Sequence, residues 1–146
     1  MELYEATQVT DELMEAFQRL VPQLSSTNPP PTRAELEDMV YSQASHVLIA
    51  RGEDGRILGT LTLVVFRIPT GVRAWIEDVV VDGAARGQGV GEALTRYALE
   101  VARSLNARTV DLTSRPSREA ANRLYQRVGF EMRESNLYRF TLVKKS

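Results

Sequence analysis

Three glycines alternate with other residues directly behind an arginine, in the stretch Arg86-Gly87-Gln88-Gly89-Val90-Gly91, and a helical pattern follows at once. A glycine lets the backbone take a positive φ and approach a ligand closely. A helix start presents unpaired N–H groups and the positive end of the helix dipole. The stretch therefore predicts an anion site suited to phosphate. It lacks the P-loop pattern and the dinucleotide fingerprint, and the alternative is a tight turn that serves helix–strand packing.

Two neighbouring carboxylates, Glu77 and Asp78, interrupt the otherwise apolar stretch WIEDVVV. A carboxylate is costly in such a strand unless it has a partner or a chemical role. Because neighbouring strand residues point to opposite faces, a regular strand puts Glu77 with Trp75, Val79 and Val81, and Asp78 with Ile76 and Val80. A β-bulge would change this assignment. Both are candidate bases or ammonium-binding groups; the alternative is that each caps a helix or pairs with an arginine.

Other catalytic groups are scarce. The chain has no cysteine, which removes disulfides, thiolate metal sites and a thiol nucleophile, and no metal site is predicted. The single histidine, His46, opens a strand, where a structural role is favoured. No Ser/His/Asp set is visible. Tyr125 carries a phenol with an ordinary pKa of about 10, which can donate a proton; its place on an apolar stripe alone would favour a core role.

Composition sets outer limits on the class of protein. The 146 residues favour one domain spanning residues 1–146. The net charge of -1 gives no basic field for nucleic acid, and no segment resembles a signal peptide or a membrane span. A cytoplasmic protein without nucleic-acid or membrane partners is expected.

The elements that must position these groups follow from local signals. Thr10 is a predicted helix cap, Thr32 with Glu35 a capping box, and the prolines of LSSTNPPPT a loop between two helices. HVLIAR, ILGTLTLVVF and AWIEDVVV predict an antiparallel meander with a turn at Asp54-Gly55.

The second half alternates between helix and strand. A helix over Val90 to Leu105, the strand ARTVDLTS and a helix capped by Ser117 and ended by Gly129 are expected. FEMR and LYRFTLV read as two closing strands. The order βααβββαβαββ describes a mixed α/β domain with one parallel crossover.

The glycine stretch resembles the Arg/Gln-x-x-Gly-x-Gly/Ala motif of the GNAT superfamily of N-acetyltransferases. LTSRPSREAANRLYQRVGF is similar to the second signature of that family, which ends Leu-Tyr-x-x-x-Gly-Phe, here Leu124, Tyr125, Gly129 and Phe130. The clear match covers Trp75 to Phe130, and the element order matches too. The resemblance implies a mostly antiparallel central sheet, splayed between WIEDVVV and ARTVDLTS to admit a thioester.

The resemblance also implies acetyl-CoA as co-substrate, without a metal. Backbone N–H groups of Gly87, Gln88, Gly89, Val90, Gly91 and Glu92, behind Arg86, would hold its pyrophosphate. Val79, Val80 and Val81 would pair with the pantetheine arm. Many family members carry Asn seven residues before the tyrosine, where this chain has Arg118, with Asn122 one turn later. The contact of that side chain to pantetheine is thus open: Arg118 either meets a CoA phosphate or faces solvent.

The family match turns Tyr125 into the expected acid for the leaving thiolate. It favours Glu77 as base through water, with Asp78 in that role if a bulge turns the strand. With no cysteine to carry the acetyl group, direct attack by the amine is the economical mechanism.

The resemblance implies a primary amine of a small molecule or peptide as the acceptor. The loop LSSTNPPPT and the hairpin FRIPTGVR are its expected sites, with Arg67 and Arg73 flanking the hairpin turn. The strand WIEDVVVD, with the residues Ala-Arg-Gly behind it, is similar to the corresponding part of amino-sugar-phosphate acetyltransferases of the superfamily. The rival from another class is a non-catalytic GNAT-fold acyl-CoA-binding sensor or partner module, and a homodimer is one option.

Overall fold

Ten short elements build one mixed sheet with helices on both faces, in a computed structural model that describes residues 1–143. The chain runs through strands and helices in the order β1 (Glu2–Glu5), α1 (Asp11–Leu24), α2 (Arg33–Val40), β2 (Ser45–Arg51), β3 (Ile57–Ile68), β4 (Gly71–Val81), a 3₁₀ turn (Gly83–Ala85), α3 (Val90–Ser104), β5 (Thr109–Asp111) and α4 (Glu119–Val128). The five strands lie in sequence order, antiparallel except for the parallel pair β4–β5. The predicted mixed α/β fold with one parallel crossover is confirmed.

Short-range signals place the first two helices as expected. The Thr10 hydroxyl accepts a hydrogen bond from the Leu13 amide at 3.1 Å. The capping box is complete, because the Thr32 hydroxyl accepts from the Glu35 amide and the Glu35 carboxylate accepts from the Thr32 amide. The β2–β3 turn has Gly55 at φ +86, as a tight hairpin turn requires.

Two apolar clusters fill the space on either side of the sheet. Buried residues of α1 and α2 pack on one face, around Leu20, Leu36, Ile49 and Val80. The other face carries α3, whose Val90, Leu94, Ala98 and Ala102 pack on the central strands. β4 is therefore contacted by α1 on one face of the sheet and by α3 on the other.

The two closing strands predicted from FEMR and LYRFTLV are not formed. Within the described residues, the segment 131–143 has no regular secondary structure, and its apolar side chains are exposed. A strand needs a neighbouring edge to satisfy its backbone, and these residues do not pair with the sheet of their own chain. Ser117 also does not cap α4: that helix begins after Arg118, without a side-chain cap.

Candidate active site

A β-bulge bends β4 at the two carboxylates. Thr60 of β3 faces Val80 and Thr62 faces Glu77, so Asp78 and Val79 together oppose the single residue between the two threonines. Asp78 takes φ +48, the left-handed region that a non-glycine residue enters only when its surroundings hold it there.

The bulge changes which residues of β4 share a face. Val79 and Val81 pack with Ile76 against the α3 cluster, whereas Val80 packs against the α1 and α2 cluster. The regular alternation that placed Glu77 with Val79 and Val81, and Asp78 with Ile76, is therefore wrong. Glu77 is exposed beside Thr62, and Asp78 lies on the wall of a cleft.

The cleft opens where β4 and β5 part. Their parallel pairing ends at Trp75 and Asp111, while β4 continues to Val81. The predicted splay is thus present, and it leaves the β5-facing backbone of Val79, Val80 and Val81 unpaired by β5. The open cleft encloses about 1860 Å³, more than the roughly 300–1,000 Å³ of a pocket for one small ligand. It has room for two substrates.

The glycine stretch forms one end of this cleft. Gly87 and Gly89 take φ +80 and +78, and Gly89 is the N-cap of α3. Both conformations are left-handed, which explains glycine at these two positions. The first amides of α3, from Val90 to Glu92, have no partner inside the helix. Arg86 and Gly91 line the cleft, so an anion bound there would meet backbone N–H groups and the positive end of the α3 dipole.

A buried carboxylate anchors the start of this loop. Asp82, whose side chain is only 8% exposed, accepts a hydrogen bond from the Ala84 amide and forms an ion pair with Arg19 of α1. Arg19 also donates to the Ile57 carbonyl, and Gln23 accepts from the Gly83 amide at 2.8 Å. Helix α1 is thereby tied to the residues that lead into the glycine stretch, a contact between distant segments that sequence reasoning missed.

Substituting Asp82 by asparagine is expected to lower the free energy of unfolding by about 2 kcal/mol, because the Arg19 side chain, which is 17% exposed, loses the buried one of its two carboxylate partners. The measurement is urea denaturation at pH 7. The matched control is Glu15→Gln, since Glu15 also pairs with Arg19 but is 62% exposed and should contribute much less. Equal effects of the two substitutions would contradict this assignment.

The same carboxylate predicts a pH dependence. The Ala84 amide and the Arg19 guanidinium hold the pKa of Asp82 below its usual 3.8. A folded-state pKa below the unfolded one means that the stabilisation is present above the unfolded pKa and is lost as the pH falls through the folded one. The difference in the free energy of unfolding between wild type and Asp82→Asn should therefore disappear in acid, below about pH 4.

Tyr125 projects from α4 into the cleft. Its ring packs edge-to-face on Phe130, with the centroids 5.8 Å apart. Burial raises the pKa of the Tyr125 phenol above 10.0, against the opposing effect of the Arg118 guanidinium. The phenol is therefore protonated at neutral pH and can donate a hydrogen bond or a proton.

An ion-pair network holds α4 against α3. Both Arg127, at 2.8 Å, and Arg96, at 3.1 Å, contact the Glu92 carboxylate, and together they lower the Glu92 pKa. The Glu92 side chain thus joins α3 to the helix that carries Tyr125, while its amide stays at the α3 N-terminus. This role of Glu92 was not predicted, because Arg127 lies 35 residues further along the chain.

Some of the remaining predicted site residues line the cleft, and the others lie outside it. Arg118 lines the cleft, whereas the Asn122 amide donates to the carbonyls of Arg115 and Arg118 and so braces the turn before α4. Of the predicted pyrophosphate-binding stretch, only Arg86 and Gly91 line the cleft, and the Val90 side chain is buried in the core. The members of the stretch that do not line the cleft are Gly87, Gln88, Gly89, Val90 and Glu92. His46 pairs with Glu5 at 2.9 Å, in keeping with the structural role favoured for it. Arg67 and Arg73 lie at the tip of the β3–β4 hairpin and do not line the cleft; Arg73 donates to the Thr70 hydroxyl.

Positive charge dominates the cleft walls. Sequence analysis had singled out only two of these arginines; those that line the cleft are Arg86, Arg115, Arg118, Arg123 and Arg139. Carboxylates are fewer there, at Glu35, Asp78 and Glu119. The loop after α1 contributes Ser25, Asn28, Pro29 and Pro31 to the opposite wall. A local field of this sign favours anionic ligands, although the whole chain is nearly neutral.

The chain thus combines a mixed sheet, splayed beside a glycine-rich helix start, with a protonated tyrosine in the cleft. The family model described as "Acetyltransferase (GNAT) family" matches residues 7–130. The chain belongs to the GNAT acetyltransferase family and is an acetyltransferase by that membership.

Named relatives and a solved structure agree with this assignment. A glucosamine 6-phosphate N-acetyltransferase of Trypanosoma brucei brucei is 37% identical over 57% of the chain and 56% of its own length. Glucosamine 6-phosphate N-acetyltransferase 1 of Oryza sativa subsp. japonica is 34% identical over 72% of the chain and 68% of its own length. N-alpha-acetyltransferase 30 of Schizosaccharomyces pombe is 34% identical over 50% and 48%. The crystal structure of a Trypanosoma brucei acetyltransferase has a TM-score of 0.78 at 26% identity, covering 96% of this chain and 99% of that one.

Two further observations concern the described residues 1–143. No helix among them has the length and apolar character needed to cross a membrane. No group of three or more His, Cys, Asp or Glu side chains in that range is arranged to hold a metal ion.

Proposed function

We propose that the chain transfers an acetyl group from acetyl-CoA directly to a primary amine while both substrates occupy the cleft. The observation that carries this proposal is the position of Tyr125 and Asp78 on the walls of one cleft that ends at the free amides of α3. A non-catalytic binding module would not need a protonated phenol and a carboxylate in the same cleft.

The residues present fit acetyl-CoA. The amides from Gly87 to Glu92 suit its pyrophosphate, and the unpaired edge of Val79 to Val81 suits the amides of the pantetheine arm. Arg118 lines the cleft and suits a phosphate group. Acetyl-CoA supplies an activated thioester, so no residue of the chain has to carry the acetyl group.

The chain's own side chains then manage the protons. Asp78, directly or through water, accepts the proton that the amine loses as the new C–N bond forms. Tyr125 donates its phenolic proton to the sulfur as the C–S bond breaks, and it is restored by proton exchange with solvent. The cleft arginines and the α3 dipole hold the anionic parts of the substrates in place.

The bulge that turns Asp78 to the cleft wall supports Asp78, rather than Glu77, as the base. We expect Asp78→Asn to lower kcat by at least tenfold, with Glu77→Gln within about threefold, since one general base contributes roughly 10²–10⁴. The measurement is kcat for each isosteric variant from pH 6 to 9. A larger loss in Glu77→Gln than in Asp78→Asn would return the role of base to Glu77.

The acceptor class that we propose is a small primary amine bearing a phosphate, with glucosamine 6-phosphate as the first probe. Two relatives are named for that substrate, and the arginine-rich walls provide groups for a phosphate. The fission-yeast relative is named for N-terminal acetylation, which makes a peptide amine the rival acceptor.

The test is release of free CoA thiol from acetyl-CoA with glucosamine 6-phosphate, unphosphorylated glucosamine and a short peptide as acceptors. The expected result is turnover with the phosphorylated sugar and a kcat/KM at least tenfold lower without the phosphate. Turnover of the peptide alone would show that the acceptor is a peptide amine rather than a phosphorylated small amine. CoA binding without turnover of any acceptor would favour the non-catalytic module.

A further inference from the structure

One buried hydroxyl at the cleft has no hydrogen-bond partner in the part of the chain that the structure describes. Ser114 lines the cleft just beyond β5, and its Oγ is buried without a donor or acceptor to pair with. Two other buried hydroxyls along the cleft are already committed, because those of Thr60 and Thr95 donate to backbone carbonyls. A buried polar group without a partner costs free energy in the folded state, so the hydroxyl at position 114 requires an explanation other than stability.

The register of the sheet puts Ser114 across the cleft from the candidate base. The parallel pairing of β4 with β5 ends at Trp75 and Asp111. Asp78 lies three residues beyond that pair on β4, and Ser114 lies three residues beyond it on the segment that leaves β5. Both residues line the cleft. They therefore stand on opposite walls of the splay, at a similar level along it.

Acyl transfer requires three groups at this level of the cleft. The amine needs an acceptor for its proton, the leaving sulfur needs a donor, and the carbonyl oxygen needs a hydrogen-bond donor because negative charge develops on it. The proposed function gives the first two roles to Asp78 and Tyr125 and assigns no side chain to the third. A serine hydroxyl is a donor, and rotation about χ1 can direct it to an acceptor that enters the cleft. Ser114 thus supplies the kind of group that the reaction still lacks.

Burial distinguishes this hydroxyl from the charged donors of the cleft. Arg115, Arg118 and Arg123 line the same wall but are exposed, so water competes for their hydrogen bonds. A hydrogen bond is stronger in surroundings of low dielectric, and a donor that is desolvated before the reaction needs little reorganisation during it. The buried Oγ of Ser114 meets both conditions, which suits it to a charge that forms only in the transition state.

We propose that the Ser114 hydroxyl donates a hydrogen bond to the carbonyl oxygen of the acetyl thioester and stabilises the negative charge that this oxygen gains during transfer. As the amine nitrogen forms the new C–N bond, the π electron pair of the carbonyl moves to oxygen; its return breaks the C–S bond. The amine proton passes to Asp78 and the sulfur receives the proton of Tyr125, so Ser114 keeps its own proton throughout. This role of Ser114 rests on the proposed function, because it completes that reaction.

The first test compares the thermal stability of two serine variants. Ser42 is also partly buried, but it lies outside the cleft and its hydroxyl accepts hydrogen bonds from the amides of Ala44 and Ser45. Ser42→Ala should therefore lower Tm by about 3 °C. Ser114→Ala should leave Tm unchanged or raise it, because it removes a buried group that has no partner. An equal loss of Tm in both variants would show that Ser114 serves the fold, and it would overturn the proposal.

The second test detects the contact without turnover. Infrared difference spectra are recorded for acetyl-CoA with an isotope label in its acetyl carbonyl, bound to the protein with no acceptor present. Because a hydrogen bond lowers the stretching frequency of a carbonyl, the band should lie at higher frequency in Ser114→Ala than in wild type, and Ser42→Ala should match wild type. The Kd of free CoA, which lacks this carbonyl, should stay within about twofold in Ser114→Ala. An unshifted band, or a weakened Kd for free CoA, overturns the proposal.

The third measurement is kcat from pH 6 to 9. Ser114→Ala should lower kcat by at least about tenfold, since one donor to a developing oxyanion contributes roughly 10²–10³. The loss should be the same at every pH, because a serine hydroxyl does not titrate in this range, and Ser42→Ala should stay within about twofold of wild type. An active wild type with an unchanged kcat in Ser114→Ala overturns the role of Ser114 and leaves the proposed function standing. A wild type that transfers to no acceptor, but whose bound carbonyl band still shifts in Ser114→Ala, counts against the proposed function and supports the contact.

Discussion

Replacing Tyr125 by phenylalanine should lower kcat about 100-fold while leaving the KM for acetyl-CoA within about twofold, as removal of a single general acid predicts. The substitution deletes the hydroxyl but keeps the ring that packs on Phe130. Because burial holds the pKa of the phenol above 10.0, the acid should remain available throughout the neutral and mildly alkaline range. The measurement is steady-state kinetics in both substrates between pH 6 and 10.

The matched control is Tyr97→Phe. Tyr97 of α3 is also partly buried, and burial raises the pKa of its phenol too, but it packs on the sheet outside the cleft. Its substitution should leave kcat within about twofold of wild type, since no reacting atom is near it. Similar losses of kcat in the two variants would show that Tyr125 contributes only through packing. An unchanged kcat in Tyr125→Phe would show that Tyr125 is not the general acid.

Most features that depend on neighbours in sequence were predicted, although the expected Ser117 cap of α4 is not formed. The Thr10 cap, the Thr32–Glu35 capping box, the hairpin turn at Gly55 and the glycine-rich start of α3 each involve residues within four positions of one another. Such signals act before the tertiary structure forms, so the pattern of residue types is sufficient to identify them.

Two features of the site that depend on distant segments were not predicted. The ion pair of Arg19 with Asp82 joins residues 63 positions apart, and the position of the bulge at Asp78 is set by the register of β4 against β3. A one-residue change in that register exchanges the faces of Val79, Val80 and Val81, which no local pattern reveals. The sequence could name two carboxylates but could not choose between them.

The two predicted terminal strands differ from the structure for a third reason. The alternation in LYRFTLV is a valid strand signal, and its apolar residues are the ones a buried strand would carry. Strand structure nevertheless requires a free edge, and residues 137–143 do not lie against the edge of β5 in their own chain. The strand signal of this segment is therefore not realised within the described residues, where the sheet ends at β5.

Replacing Gly89 by alanine should weaken the binding of acetyl-CoA by about 10- to 100-fold, the effect of losing one or more hydrogen bonds to a charged phosphate. Gly89 holds φ +78 at the N-cap of α3, and an alanine would pull this backbone away from the left-handed region and turn the first amides of α3. The measurement is the Kd for acetyl-CoA by calorimetry.

Gly55→Ala separates this effect from general strain. Gly55 takes a similar φ of +86, and a Cβ at Gly55 or at Gly89 would meet no atom within 4 Å, so the conformational cost should be comparable. Gly55 lies in the β2–β3 turn outside the cleft, and its substitution should lower stability without changing the Kd. If both variants bind acetyl-CoA with the Kd of wild type, the first amides of α3 do not bind the pyrophosphate of acetyl-CoA. If only Gly89→Ala loses affinity for acetyl-CoA, the glycine at position 89 serves the ligand rather than helix packing. A Cβ at this position meets no atom of the free protein within 4 Å, so crowding inside the protein would not explain the loss.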